Sequence, residues 1–350
     1  MLAYTYIIVA VVSIIITLII TPLAIRIGKL TGATSIPRDV EITRPSASDL
    51  GGIAIIIAIV IAVALSYIIY PAPFAGYRNA ISGLVFGAII ISLMGFIDDR
   101  KNLGVGVKFA LQLIAAIVTM SFGVKISVIS NPFNSFAELG IFSYPVTALW
   151  IVGVMNAVNF VDGLDGLAPG VLSIAGISLF AICASLNLPV LAIIFLSIFG
   201  ANIAFLRFNY PPARIILGNM GAYLLGYIMA TASIIQPVKV STAMVLFVPM
   251  LALGFPLMEI LITVIRRTLK RKKIYQRDAE HLHHLLLSFG LPPSVVDWVF
   301  YSISFIFATL AVALSVGNRS IMIFFLAGLL LVFLVLTVKL ASLERSKIKL

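Results

Sequence analysis

Cysteine is all but missing from this chain. The single thiol, Cys183, falls inside an apolar run, so neither a disulfide framework nor a cysteine zinc site can be built. Charge is nearly as scarce. Only 11% of the residues are charged and only three are histidine. No soluble basic domain interrupts the apolar runs, so the formal charge of +11 does not point to nucleic acid. What fills the chain is hydrocarbon: 61% of residues are apolar and the mean hydropathy is +1.17. Many runs are long enough to cross a hydrocarbon core of about 30 Å.

The expected fold is therefore all-α, a polytopic integral membrane protein of about eleven helices forming one catalytic domain over 1–350. The candidate spans lie near 4–26, 50–70, 80–97, 106–122, 145–158, 168–186, 188–206, 216–235, 241–265, 297–316 and 320–341. The first is too long, and is followed by too many others, to be a cleaved signal peptide. Basic residues set the orientation. With the N-terminus outside, the loops 26–49, 98–108, 159–168, 207–215 and 266–296 and the C-terminal tail are cytoplasmic. These loops, with the adjoining membrane ends, hold 20 of the 24 Lys and Arg, leaving Arg78, Lys125, Lys239 and Arg319. The same topology leaves Glu138 as the one acid in an outer loop and gathers all three histidines on the inner face. A transporter would more typically carry ionisable groups near the midplane. This distribution favours an enzyme working at the cytoplasmic surface of the plasma membrane, on anionic lipid or a phosphorylated substrate.

Five inner-face segments carry the polar chemistry. Asp98 and Asp99 close the third span. Adjacent carboxylates suit a divalent metal or a base near phosphate, or they form a solvated helix end neutralised by Arg100 and Lys101. In Asn156-Ala-Val-Asn159-Phe-Val-Asp162-Gly-Leu-Asp165-Gly, polar groups recur every three residues. Each step drifts about 60° around an ideal helix, so Asn156 and Asn159 share a face while Asp165 points away unless the backbone loosens. The two Asp-Gly pairs supply that loosening. Oxygen donors of this kind suit Mg²⁺ or Mn²⁺ and amides suit a sugar or base; the plain alternative is helix capping.

The third segment, Arg207-Phe-Asn209-Tyr-Pro-Pro-Ala-Arg214 running into Leu217-Gly218-Asn219-Met220-Gly221, reads as a basic turn, either a phosphate contact or a rigid corner. The fourth follows the ninth span. After a basic run, Asp278 can cap a short helix through His281, His283 and His284 that Gly290 and Pro292 end. His281 and His284 share a face and could bind diphosphate; zinc needs more ligands, and an anionic-lipid cluster would explain the lysines alone. Within the ninth span itself, Pro249, Gly254 and Pro256 predict a kink ahead of Glu259.

In this order the motifs resemble the polyprenyl-phosphate N-acetylhexosamine-1-phosphate transferase superfamily, from about residue 51 to 290. His-Leu-His-His is closer to its WecA and TagO branch than to the phospho-MurNAc-pentapeptide transferases, which remain an alternative. The resemblance implies transfer of a sugar 1-phosphate, GlcNAc-1-phosphate foremost, from a UDP-sugar to an undecaprenyl-type polyprenyl phosphate. The products would be a polyprenyl-diphosphate sugar and UMP, the first membrane step of cell-envelope glycan synthesis. It implies Mg²⁺ held by Asp162, Asp165 and the residue at 219, with Asp98 and Asp99 near the lipid phosphate or metal and Asp98 a candidate base. It further implies diphosphate contacts from Arg277, His281, His283 and His284, with Asn156, Asn159, Asn209 and Arg214 binding substrate, and a homodimer. Two features depart from the pattern. Related chains carry Gly-Asp-x-Gly-Ser where this one reads Gly218-Asn219-Met220-Gly221-Ala222, which removes a magnesium aspartate. Ser35, Val40, Glu41 and Thr43 stand where related first loops carry an acid and a basic, His-containing run. A catalytically weakened paralogue, another carboxylate taking over the metal, and an engineered substitution each fit these departures.

Overall fold

A computed structural model describes residues 1–35, 47–130, 136–235, 247–269 and 282–316. Twelve α-helices occur among them: α1 Leu2–Thr31, α2 Gly51–Ile69, α3 Arg78–Lys101, α4 Val105–Ser121, α5 Ser143–Val161, α6 Leu167–Ser185, α7 Pro189–Asn209, α8 Gly218–Ile234, α9 Phe247–Ala252, α10 Gly254–Leu269, α11 Leu282–Ser288 and α12 Pro293–Val316. Seven of these helical stretches are long and apolar enough to cross a membrane. The two-residue strands β1 (Thr34–Ser35) and β2 (Ala47–Ser48) pair antiparallel, as do β3 (Val128–Ser130) and β4 (Phe136–Glu138).

The helices follow the apolar windows closely, with one difference. The ninth window, 241–265, divides into α9 and α10 around Leu253, at the Pro249, Gly254 and Pro256 interruptions. Proline cannot donate the helical hydrogen bond and a Cβ on Gly254 would strike the Phe307 ring, so helix continuity yields to packing against α12. The eleventh window, 320–341, lies outside the described residues.

Lipid supplies little hydrophobic drive for pairing apolar helices, so close backbone approach has to hold them together. α6 and α7 form the centre, with α1 and α2 on one flank of α7, α12 against α6, and α8 between α3 and α5. On α1 the buried face reads Thr5, Val9, Ser13, Thr17, Thr21, Ala24, Gly28, a four-residue repeat of mostly small side chains, and Ser13 stands where a Cβ on Gly200 of α7 would go. At α2 and α8 the backbones touch: a Cβ on Gly52 would be 2.5 Å from the Cα of Gly221. Trp150 Nε1 donates to the Ala230 carbonyl at 3.0 Å, tying α5 to α8. These contacts bring the end of α3, the α5–α6 turn and the start of α8 to one end of the bundle.

Candidate functional site

The site begins where α5 stops. Asn156 and Asn159 lie on its last turns, Val161 is its final residue, and Asp162 follows as the C-cap. Asn156 Nδ2 donates to Gln112 Oε1 at 2.8 Å and to the Val152 carbonyl at 2.7 Å, which binds α5 to α4. Asn159 Nδ2 donates to Asn219 Oδ1 at 3.1 Å. The amide at 219 thus joins the segment rich in Asn and Asp directly, across 60 residues of chain.

Beyond Asp162 the backbone turns, and Gly166, at φ 81°, admits the left-handed conformation that starts α6. Both polar backbone atoms of Gly166 are held. Its N–H donates to Asn209 Oδ1 at 2.9 Å and its carbonyl accepts from the Tyr301 hydroxyl at 2.7 Å. Asn209, the last residue of α7, also donates to the Ile215 carbonyl at 2.8 Å. Asp165 is buried and its Oδ2 accepts from the Ala213 N–H at 2.9 Å. Asp165 and Asn209 therefore brace the α5–α6 turn against the 210–215 corner, consistent with Asp165 turning away from the helical face of Asn156. In that corner Arg214 is exposed, and its N–H donates to the Phe208 carbonyl at 2.9 Å.

The α3 aspartates point to two different neighbours. Asp98 is buried; Oδ1 accepts from the Leu103 N–H at 2.8 Å and Oδ2 pairs with Lys108 Nζ at 3.1 Å. Asp99 reaches α8 instead, where Oδ1 accepts from Asn219 N–H at 2.8 Å and Oδ2 from Met220 N–H at 3.1 Å. These are second- and third-residue donors of α8, and its own N-cap, Leu217, offers no side-chain acceptor. Asp99 therefore performs the capping that a Ser or Asp at the N-cap would give.

Asp162 differs from its neighbours. Its carboxylate accepts no hydrogen bond among the described residues, and burial, followed by the charges of Asp99 and Asp165, pushes its pKa well above the usual carboxylate range. An acid in that position favours either a proton or a cation. A second orphan is Oδ1 of Asp49, buried without a hydrogen-bond partner in the loop before α2. Among the described residues no three His, Cys, Asp or Glu side chains form a ready cage. Mg²⁺ does not require one, because it keeps several waters and takes one or two carboxylates plus substrate phosphate oxygens. The oxygen-only set of Asp162 and Asn219, with Asp165 in the same turn, fits such an ion.

Arg277 and His281 lie outside the described residues. His283 and His284 lie on α11, where Glu259 of α10 accepts from the Leu282 N–H at 2.9 Å. Sequence reasoning missed Gln112, Lys108, Asp49 and Tyr301. Lys108 stands in the predicted 98–108 loop and Asp49 in 26–49, so charge inside a predicted inner loop was the available signal; for Gln112 and Tyr301 there was none.

A family model described as glycosyl transferase family 4 matches residues 81–236. Over 341 residues the chain is 35% identical to a Bacillus subtilis (strain 168) protein named probable undecaprenyl-phosphate N-acetylglucosaminyl 1-phosphate transferase, covering 97% of this chain and 93% of that one. The chain belongs to glycosyl transferase family 4. Within it, the chain is 33% identical over 287 residues to the decaprenyl-phosphate N-acetylglucosaminephosphotransferase of Mycobacterium tuberculosis (strain ATCC 25618 / H37Rv), covering 74% of this chain and 70% of that one. A phospho-N-acetylmuramoyl-pentapeptide-transferase from Heliobacterium modesticaldum (strain ATCC 51547 / Ice1) is 30% identical over 286 residues, with 77% and 84% covered. The family match spans α3 to α8, and so contains Asp98, Asp99, the α5–α6 turn and Asn219. It leaves out Asp49 and Tyr301.

Proposed function

We propose that this family 4 protein transfers GlcNAc-1-phosphate from UDP-GlcNAc to an undecaprenyl-type phosphate, releasing UMP. The observation that carries this reading is the Asp162 carboxylate, which accepts no hydrogen bond among the described residues, at the end of the helix whose Asn159 meets Asn219, in a chain similar over nearly its whole length to a protein named for that reaction. An oxygen of the acceptor phosphate attacks the sugar-bearing phosphorus of the donor. The bond from that phosphorus to the bridging oxygen breaks, and the oxygen leaves on UMP.

Asp162 and Asn219 would hold Mg²⁺, with Asp165 bracing the turn that presents Asp162 rather than binding the ion; when bound, the ion would neutralise the donor diphosphate and the charge that builds on the leaving phosphate. No strong base is needed, because a phosphate monoester is already largely ionised at neutral pH. Asp98, with both carboxylate oxygens engaged, then orders the α3–α4 turn, while Asp99 fixes the start of α8 and so the position of Asn219. Asn156 and Asn159 orient the donor along α5, and Arg214, Arg277, His281, His283 and His284 contact phosphates. The positive-inside distribution of Lys and Arg supports a cytoplasmic position for this end of the bundle, the side on which a nucleotide sugar is available.

The full chain in lipid nanodiscs, given UDP-GlcNAc, undecaprenyl phosphate and Mg²⁺, is expected to release UMP and form a lipid of the diphosphate-sugar mass. Asn219→Asp is expected to raise turnover. No UMP from either protein would sink the enzyme reading. Asn219 supports one second reading, a binder with weak turnover: an amide donates a neutral oxygen and a weaker cation bond than a carboxylate. Retained UDP-GlcNAc binding without UMP release would favour it.

A further inference from the structure

Glu259 is a carboxylate buried in a helix of mostly apolar residues. Along α10, Phe255, Glu259, Thr263 and Arg267 are buried at four-residue intervals, while Leu261 and Ile265 are exposed. A polar group on such a buried stripe needs a protein partner. Glu259 Oε1 accepts from the Leu282 N–H at 2.9 Å, across 23 residues of chain. Leu282 opens α11, and an N–H at the start of a helix has no acceptor within that helix. Glu259 therefore caps α11 from another helix, as Asp99 caps α8.

The same elements reach the α5–α6 turn. The Phe255 and Phe300 rings lie 4.6 Å apart, which seats α10 on α12 one helical turn before Glu259. Next to Phe300, Tyr301 donates to the Gly166 carbonyl at 2.7 Å. Asp297, buried one turn earlier on α12, meets the same glycine: a Cβ on Gly166 would stand 3.2 Å from its Oδ2 and 3.2 Å from the Tyr301 hydroxyl oxygen. A continuous run of contacts thus leads from Gly166 through the start of α12 to α10, and from Glu259 to α11. His283 and His284 directly follow Leu282, so whatever fixes the Leu282 backbone sets where they start.

We infer that Glu259 is a positioning residue of the donor site, holding α11 and its histidines to the α10–α12 pair that also braces the turn carrying Asp162. This rests on the proposed contact of His283 and His284 with the donor phosphates. It extends the site to a residue outside the segment matched by the family model.

The test takes the full chain in lipid nanodiscs and measures hydrogen exchange by mass spectrometry and, separately, the Kd for UDP-GlcNAc by calorimetry with Mg²⁺ present. Glu259→Leu removes the acceptor and keeps an apolar helix. It is expected to speed exchange of the 282–288 amides, with the other helices unchanged. UDP-GlcNAc binding is expected to weaken by about tenfold, the scale for removing a side chain that orients a ligating residue. Glu259→Gln keeps an acceptor oxygen at the same reach and is expected to restore most of both. In a chain already carrying His283→Ala and His284→Ala, Glu259→Leu is expected to speed exchange but weaken binding no further, because it acts through those residues. A residue that only supports folding would change the unfolding temperature and the folded fraction, not the Kd of the folded chain. Unchanged exchange or unchanged affinity in Glu259→Leu, Glu259→Gln no better than Glu259→Leu, or a full further loss of binding in the background without the two histidines would each overturn the inference. A parent chain that binds no UDP-GlcNAc would refute the donor reading instead, and exchange alone would then decide whether Glu259 holds α11.

Discussion

The end of α3 and the α5–α6 turn each bring two aspartates to the same end of the bundle, and they use them in different ways. At α3 all four carboxylate oxygens have partners: Leu103 N–H and Lys108 for Asp98, Asn219 and Met220 N–H for Asp99. In the turn, Asp165 is tied to Ala213 while Asp162 accepts nothing from the described residues. Adjacent acids in a sequence thus do not by themselves mark available charge. What marks it is a carboxylate that the surrounding backbone leaves without a donor.

The sharpest way to break this comparison is Asp162→Asn. If Asp162 is the free charge, UMP release should fall by about 10²- to 10³-fold, the range for removing one preorganised electrostatic group. The same substitution should stabilise the fold at neutral pH. The pKa of Asp162 is raised in the folded chain, so its ionisation weakens the fold as pH rises through that value, and the contribution is fully restored only below the unfolded value. The unfolding temperature of Asp162→Asn should exceed that of the parent at neutral pH. The gap should close toward about pH 4, the ordinary aspartate value. Mg²⁺ should raise the parent's unfolding temperature and leave the variant's nearly unchanged. A variant less stable than the parent at neutral pH would contradict the assignment.

Asp165 should behave in the opposite sense. Asp165→Ala leaves the Ala213 N–H without its acceptor in a buried place, a loss of about 1–3 kcal/mol, and the unfolding temperature should drop. Asp165→Asn keeps an acceptor oxygen and should retain most of the stability, with a smaller loss of UMP release than Asp162→Asn. Equal loss of activity in Asp162→Asn and Asp165→Asn, both folded, would erase the distinction between bracing and free carboxylates. Asp99→Ala comes next in size. It uncaps α8, at a cost of about 1 kcal/mol, and should lower UMP release by shifting Asn219, measured against an unfolding temperature that falls only modestly.

Much of the fold was legible because lipid imposes simple rules. Apolar windows fall on the helices to within a few residues, and Pro249, Gly254 and Pro256 located the break that separates α9 from α10. The helical drift across Asn156, Asn159 and Asp165 anticipated that Asp165 leaves the amide face, and the Gly after it does adopt positive φ. The partners of each side chain were not legible. Asn156 meets Gln112 across 44 residues and Asp99 meets Asn219 across 120, contacts set by which helices adjoin rather than by any local spacing. Asn209, from another helix, accepts from the Gly166 N–H at the start of α6, and Glu259 accepts from Leu282, the first described residue of α11; Asp278, expected to cap that helix, lies outside the described residues.

The smallest expected effect reaches furthest from the motif. Tyr301 lies on α12, yet its hydroxyl donates to the Gly166 carbonyl while Asn209 takes the Gly166 N–H from the other side. Its ring also fills the space a Cβ on Gly170 would need, so α12 packs on the start of α6 whether or not the hydroxyl is there. Tyr301→Phe separates the two roles. It keeps the ring and removes one hydrogen bond, worth about 1 kcal/mol, so the unfolding temperature should move little. If that bond holds the turn that carries Asp162, turnover should fall several-fold with the KM for UDP-GlcNAc little changed, since the donor contacts on α5 are untouched. A loss of stability with turnover preserved would make Tyr301 a packing residue only. It would then leave Asn209 and Asp165 as the braces that hold the turn carrying Asp162.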